Sequence, residues 1–307
     1  MTIDLDILAM GEALIEFNQT DPSQQNYRFG FGGDTSNCVI AAARQGAKAG
    51  YLSAIGDDHF GAALRELWQA EGIDQRFIKI DPSAPTGLYF VHHDETGHHF
   101  SYRRAGSAAS LLGPNDLSNG AIEAAKLLQL SGISLAISGQ AADAAFGAMA
   151  QAQSLGRLVA FDTNYRSSLW PLDRAQAVIL AAARQADIVL PGLDDAKLLT
   201  GLSAPQAILD YFLHAGAKIV ALTMGAEGCW LADQHDRKHL APHTVKAVDA
   251  TGAGDTFDGA FLAEYLRTND WHKAGIYANA AAALATTGFG AVAPIPNRAQ
   301  VEAFLAG

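Results

Sequence analysis

Cysteine is scarce in this chain. Cys38 and Cys229 are the only two, far apart and both in apolar surroundings. That offers neither a disulfide framework nor a zinc pattern and suits a reducing compartment. Positive charge is also short: 21 Lys and Arg stand against 32 Asp and Glu, a net charge of −11. No basic run exceeds the pair Arg103-Arg104, which argues against nucleic acid or an anionic membrane as a partner. A long hydrophobic run is missing too. The longest uncharged stretch, residues 274–297, is mostly Ala, Gly and Thr; it holds Asn279, Gly288 and Gly290 and is broken by Pro294 and Pro296. It is too weakly apolar to span a bilayer and reads as a packed helix followed by a Gly-rich loop. The N-terminal residues lack the basic and apolar regions of a signal peptide, so a cytoplasmic location is expected.

What is present is core material: 307 residues, 49% hydrophobic and 17% charged. Strand-like and helix-like segments alternate. Residues 7–10, 50–55, 77–80, 127–130, 158–162, 188–190 and 219–223 read as strands, and 34–45 and 60–70 as helices stopped by Gly46 and Gly72. Such alternation predicts an α/β fold with a largely parallel sheet covered on both faces. Residues 228–233 and 244–248 read as a hairpin beside it. Two segments break the rhythm: 14–32, short, polar and aromatic, and 85–105, a hairpin turning at residues 94–97. Both suit a small sheet projecting as a lid, a device that excludes water during phosphoryl transfer. The hairpin carries His92, His93, His98 and His99, of which His93 and His98 should face each other. With no acid or cysteine at a fixed offset to complete a metal site, they read as solvated edge-strand residues.

Residues 248–261 carry the most information. Gly252, Ala253 and Gly254 stand where a helix should begin, Asp255 falls in its first turn, and Phe257, Ala260, Phe261 and Tyr265 recur at helical spacing. The first amides of a helix lack intrahelical partners and sit at its positive end, so small residues there let them close around a phosphate. An acid beside an anion hole repels phosphate, which makes sense if Asp255 takes a proton from a hydroxyl attacking it. The bland alternative is a strand-to-helix turn whose acid complements the helix dipole.

Two motifs about two hundred residues apart give the chain a likeness to a known family. One is Gly32-Gly33-Asp34-Thr35-Ser36-Asn37, continued by residues 41–46 and 56–61; the other is Asp249 to Asp255. Over its full length the chain resembles the ribokinase-like (PfkB) carbohydrate kinases. Within them it is most similar to 2-keto-3-deoxygluconate kinases, through residues 31–35, 87–89, 102–104, 130–134 and 162–170. The resemblance implies one kinase domain over 1–307, with a three-layer ribokinase-like fold and a lid at about 14–32 and 85–105. It implies that Gly33, Asn37, Tyr89, Tyr102, Arg104, Ile133 and Arg166 line the sugar-acid pocket. It implies that Asn164, Thr223, Gly225, Gly228, Asn279 and residues 252–254 contact ATP, and that Asp255 is the general base. Many members carry Asn-x-x-Glu near the magnesium ion; here Gly192 and Asp195 stand at those places, so Asp195 is expected to reach Mg²⁺ through water. Asp249 and Thr251 are expected at a monovalent-cation (K⁺) site. Ala250 replaces a more usual Thr, a change expected to be silent.

The residues agree with that likeness. A sugar acid carries a carboxylate, and arginine's planar fork suits one, so Arg104 and Arg166 are expected to hold the acid end. Each also has a plainer reading, Arg104 as an edge-strand surface charge and Arg166 as a structural ion pair. Tyr89 and Tyr102 could be lid packing residues whose hydroxyls reach water. The expected activity is ATP-dependent phosphorylation of 2-keto-3-deoxy-D-gluconate at its 6-hydroxyl. A galactonate-derived epimer, a neutral sugar (fructokinase or ribokinase activity) and a silent sugar-acid-binding regulator are the alternatives. The lid's aromatics (Phe17, Tyr27, Phe29, Phe31, Tyr89, Phe90, Phe100, Tyr102) would otherwise lie exposed, so a homodimer packed through the lids is expected.

Overall fold

The computed structural model describes residues 3–21, 26–94, 97–117 and 120–307. Residues 22–25 of the first lid segment and Glu95-Thr96 of the expected turn lie outside the described residues, as does the His98 side chain.

Among the described residues nine strands form the main sheet: β1 (Leu5–Met10), β4 (Ala49–Gly56), β5 (Ile78–Asp81), β8 (Ala125–Ser131), β9 (Leu158–Asp162), β10 (Ile188–Leu190), β11 (Ile219–Thr223), β12 (Cys229–Asp233) and β13 (Arg237–Leu240). Their order is β13-β12-β11-β10-β9-β8-β1-β4-β5. All pairings are parallel except those of β12 with its two neighbours. Alternation along each strand sends side chains to opposite faces. Leu8, Leu128, Phe161, Val189 and Val220 pack under α4 (Gly139–Ser154), α5 (Leu172–Ala183) and α7 (Pro205–Ala215). Ile7, Leu127, Ala160, Ile188 and Ile219 pack under α1 (Asp34–Arg44), α8 (Ala253–Thr268) and α9 (Trp271–Ala285). The remaining α-helices among the described residues are α2 (His59–Ala70), α3 (Gly132–Ala136), α6 (Leu193–Thr200) and α10 (Arg298–Ala306). The result is three layers, helices on both faces of the sheet. Among the described residues no helix is long and apolar enough to cross a membrane.

The expected hairpin partner at 244–248 is not a strand. β12 pairs instead with β13, Cys229 opposite Leu240. Arg-Lys-His-Leu has no apolar alternation because β13 is an exposed sheet edge, where charge discourages further pairing.

A separate four-stranded sheet has the order β3-β2-β6-β7, from β2 (Leu14–Gln19), β3 (Tyr27–Gly32), β6 (Leu88–Asp94) and β7 (Gly97–Arg103). It is mixed, since β2 and β6 run parallel. The hairpin register sets His93 opposite His98 and Tyr89 opposite Tyr102. The edge-strand reading of the histidines needs correction for two of them. β6 is an inner strand, and His92 and His93 take partners: Tyr27 Oη lies 3.1 Å from His92 Nδ1, and Asn18 Oδ1 2.7 Å from His93 Nε2. The lid aromatics are less exposed than expected as well. Phe17 stacks on Phe90 at 5.3 Å and meets Phe60 of α2 edge-on at 6.0 Å, so one face of the lid continues into the core.

Candidate active site

Parallel strands that point the same way bring their C-terminal ends to one edge, the usual place for ligands in such sheets. The loops there enclose a cavity of about 790 Å³, roofed by Leu14, Tyr89, Phe100 and Tyr102 of the lid. Two helices begin at its floor. Gly33 caps α1 at φ +109°, and a Cβ there would stand 2.8 Å from Ala13 Cα, so the chain passes only as glycine. Gly252 caps α8 at φ +74°, where a Cβ would meet the Ala291 carbonyl at 2.8 Å. The two helices cross at Gly259, where a Cβ would lie 2.7 Å from that of Ala41. This close crossing brings Asn37 of α1 to Asp255 of α8: its Nδ2 donates to Asp255 Oδ2 at 2.8 Å.

The cavity floor is crowded with acid. Asp255 shares it with Asp34, Asp162 and Asp258. Burial, then the charge of Asp34, pushes the Asp255 carboxyl up to about 7, against the pull of Asn37 and Arg166. Burial and the neighbouring carboxylates hold Asp162 and Asp258 well above the ordinary carboxylate range. Asp34 is anchored by Ser131 Oγ and by Asn164 Nδ2 at 3.1 Å. Asn164 reaches it from a left-handed backbone (φ +27°), a conformation asparagine tolerates better than most residues. Asn37 Oδ1 is buried without a partner among the described residues, and an orphaned acceptor beside a cavity suits a ligand hydroxyl.

The two arginines differ. Arg166 stands half-exposed; Nη1 donates to its neighbour's carbonyl, Tyr165 O, and lies 3.9 Å from Asp195 Oδ2. Arg104 is not a surface charge. It is half-buried, its Nε donating to Glu12 Oε2 at 2.7 Å with Nη2 in ion-pair contact with the same oxygen at 2.5 Å, and its guanidinium lies 5.5 Å from the Tyr102 ring centroid. Burial pushes the Glu12 carboxyl above the ordinary range, against the pull of Arg104 and Ser107. The Tyr89 hydroxyl donates to Glu16 instead of reaching water.

Of the other expected residues, Ile133, Asn164, Thr223, Thr251, Gly252 and Gly254 line this cavity, and Ala253 is the first residue of α8. Gly225, Gly228 and Asn279 lie outside it. A Cβ on Gly228 would meet Pro242 N at 2.9 Å and Asn279 Nδ2 donates to Ala241 O at 2.8 Å, so both flank the 241–242 segment. Asp249 ties loops together, accepting from Thr251 N and Oγ1 (2.9 and 2.6 Å) and from Gly290 N (2.9 Å). Asp195 lines the cavity and accepts from Tyr165 N at 3.0 Å. Among the described residues no three His, Cys, Asp or Glu side chains group to hold a metal. That donor set fits magnesium carried on nucleotide phosphates and touched by a single acid, since Mg²⁺ keeps several waters; it does not fit a protein cage.

Glu12, Asp34, Asp162 and Asp258 also line the cavity, with Glu16 behind Tyr89, and none of them is among the expected site residues. Glu12 and Asp162 carried a signal, an acid at the end of a buried strand where solvent should not reach.

The chain matches the pfkB family carbohydrate kinase family over residues 4–298. It is 34% identical to a 2-dehydro-3-deoxygluconokinase from Thermoproteus tenax, covering 98% of this chain and 94% of that one. It is 32% identical to a probable fructokinase-4 from Arabidopsis thaliana, covering 98% and 97%. A crystal structure of a putative ribokinase II from E. coli in complex with ATP and Mg²⁺ matches with TM-score 0.91 at 26% identity, covering 98% and 99%. The fold is ribokinase-like α/β, and the chain belongs to the PfkB family of carbohydrate kinases.

Proposed function

We propose that this kinase transfers the γ-phosphoryl group of ATP to the 6-hydroxyl of 2-keto-3-deoxy-D-gluconate. The observation that carries the reading is Asp255: half-buried at the first turn of α8 and oriented by Asn37 at 2.8 Å, with desolvation and Asp34 pushing its carboxyl up to about 7. A base of that strength is suited to accept the hydroxyl proton near neutral pH. The acid end of the sugar falls to Arg166, whose fork meets Asp195 only at 3.9 Å, and Arg104 adds a donor from the lid. Held at that end, the sugar presents its distal hydroxyl to Asp255, and such positioning supplies on the order of 7–11 kcal/mol of a barrier of this kind. Amides of 252–255 stabilise the charge that develops on the transferred group. Asp195 is the side chain we assign to a nucleotide-borne Mg²⁺, which when bound neutralises phosphate charge. ATP contacts are assigned to Asn164, Thr223, Gly225, Gly228, Asn279 and the 252–254 turn, and a K⁺ site to the Asp249–Thr251 loop. We also assign the lid a role in joining two copies.

A neutral sugar is the second reading. Glu12 cancels the charge of Arg104, which leaves Arg166, 3.9 Å from Asp195, as the less engaged cation of the two, and the plant relative is named a fructokinase. ADP release across gluconate-derived, galactonate-derived and neutral sugars decides between them. Turnover of 2-keto-3-deoxygluconate well above that of fructose is expected; a preference for fructose would overturn the sugar-acid reading.

A further inference from the structure

Four chain crossings join the body to the lid, and Glu12 touches all of them. It occupies the β1–β2 crossing, just after β1. Its carbonyl faces Gly33, at the β3–α1 crossing, closely enough that a Cβ there would collide. Its Oε1 would stand 2.7 Å from a Cβ on Gly87, at the entry to β6. Beyond β7, Arg104 donates to Oε2 and Ser107 Oγ donates to Oε1 at 2.5 Å. The Glu12 side chain is 0% exposed and that of Arg104 10%, yet both residues line the cavity.

A carboxylate this deeply buried is an odd choice for holding a hinge, because a neutral side chain would avoid the desolvation cost. The odd choice makes sense through what it does to arginine. The Nε–Nη2 edge of the fork is engaged, leaving Nη1 as the donor the ion pair does not use. We propose that Glu12 is a positioning residue for sugar binding, which fixes Arg104 so that Nη1 is presented to the sugar before the sugar arrives. This rests on the reading of Arg104 as a sugar contact. Arginine is rotamer-rich, and ordering it at the moment of binding weakens affinity. Glu12 does that ordering in advance. Its side chain accepts from Arg104 and Ser107, while Asp255 takes Asn37, so its effect belongs to binding and not to the chemical step.

The test is steady-state kinetics on Glu12→Gln with the sugar that the unaltered enzyme turns over best. The sugar KM should rise about three- to tenfold, the range for one unheld side chain. The ATP KM and kcat should stay within about twofold. In an Arg104→Ala background, Glu12→Gln should not change the sugar KM further. If Glu12→Gln does not fold, Ser107→Ala, which frees Oε1 while leaving the ion pair, should raise the sugar KM in the same selective way. Parallel losses in both KM values and kcat, or an undiminished effect in the Arg104→Ala background, would make Glu12 a hinge residue only and overturn the proposal. An active enzyme indifferent to Glu12→Gln overturns it alone; an unaltered protein inactive on every sugar overturns the functional reading with it.

Discussion

Asp255 lies half-buried with the charge of Asp34 near it, and a carboxyl group in that setting keeps its proton up to about pH 7. If it is the general base, kcat/KM should fall as the pH drops through about 7, because the protonated form cannot accept a proton. The same displacement acts on stability. Between the ordinary value of 3.8 and about 7 the folded state holds a proton that the unfolded chain has released. Stability from this group is therefore fully present below about pH 4 and lost as the pH rises through about 7. Asp255→Asn removes both effects. Its turnover should fall by about 10²–10⁴-fold, while its melting temperature should exceed the wild type's more at pH 8 than at pH 4. Near wild-type turnover would leave Asp255 a dipole-complementing residue. Arg166 makes a separate prediction. Arg166→Ala should weaken sugar-acid binding by about 1.5–3 kcal/mol, the range for a hydrogen bond to a charged group, with ATP affinity little changed in titration calorimetry. Equal losses for a sugar acid and a neutral sugar would make Arg166 structural.

Elements were more legible than their polar contacts. Apolar runs bounded by glycine marked the parallel strands, since a strand buried on both faces needs no alternation. α1 and α2 were marked by their stops. β13 was not, because a charged edge strand looks like a loop. The Asp255 turn was readable because its chemistry is local, seven residues from Asp249 to Asp255. Glu12 and Arg104 meet across 92 positions, and nothing in either neighbourhood shows that the other exists. The α1–α8 crossing was equally invisible, although it brings Asn37 to Asp255 across 218 positions. That crossing predicts an effect at the scale of the helices. Gly259→Ala would set a methyl 2.7 Å from the Ala41 Cβ and 2.8 Å from Ala42 N, forcing the helices apart. Overpacking of this kind costs about 1–3 kcal/mol, visible in chemical denaturation. Because the two helices carry Asp255 and Asn37, kcat should fall with it if Asp255 is the base. A stable variant with unchanged kcat would show that α1 and α8 need not touch to align the site.

The molecule as a whole carries a net charge of −11, which opposes self-association through like-charge repulsion. A dimer therefore needs an apolar contact strong enough to overcome it. The lid supplies the material. Phe29 remains 43% exposed and Phe100 50% exposed, even though Phe17, Phe31 and Phe90 are packed into the core or against one another. Phe100 lies on the edge strand β7 and also lines the cavity. A second lid laid over it would cover an aromatic edge and close the sugar pocket in one contact, an isologous arrangement that two copies can share. We therefore expect a homodimer at micromolar concentration, strengthened by added salt as the repulsion is screened. Phe100→Asp should shift the mass in light scattering toward the monomer and raise the sugar KM, since one side chain serves both surfaces. Unaltered protein that runs as a monomer with full turnover would sink this assembly. A dimer that survives Phe100→Asp intact would place the contact on a different face.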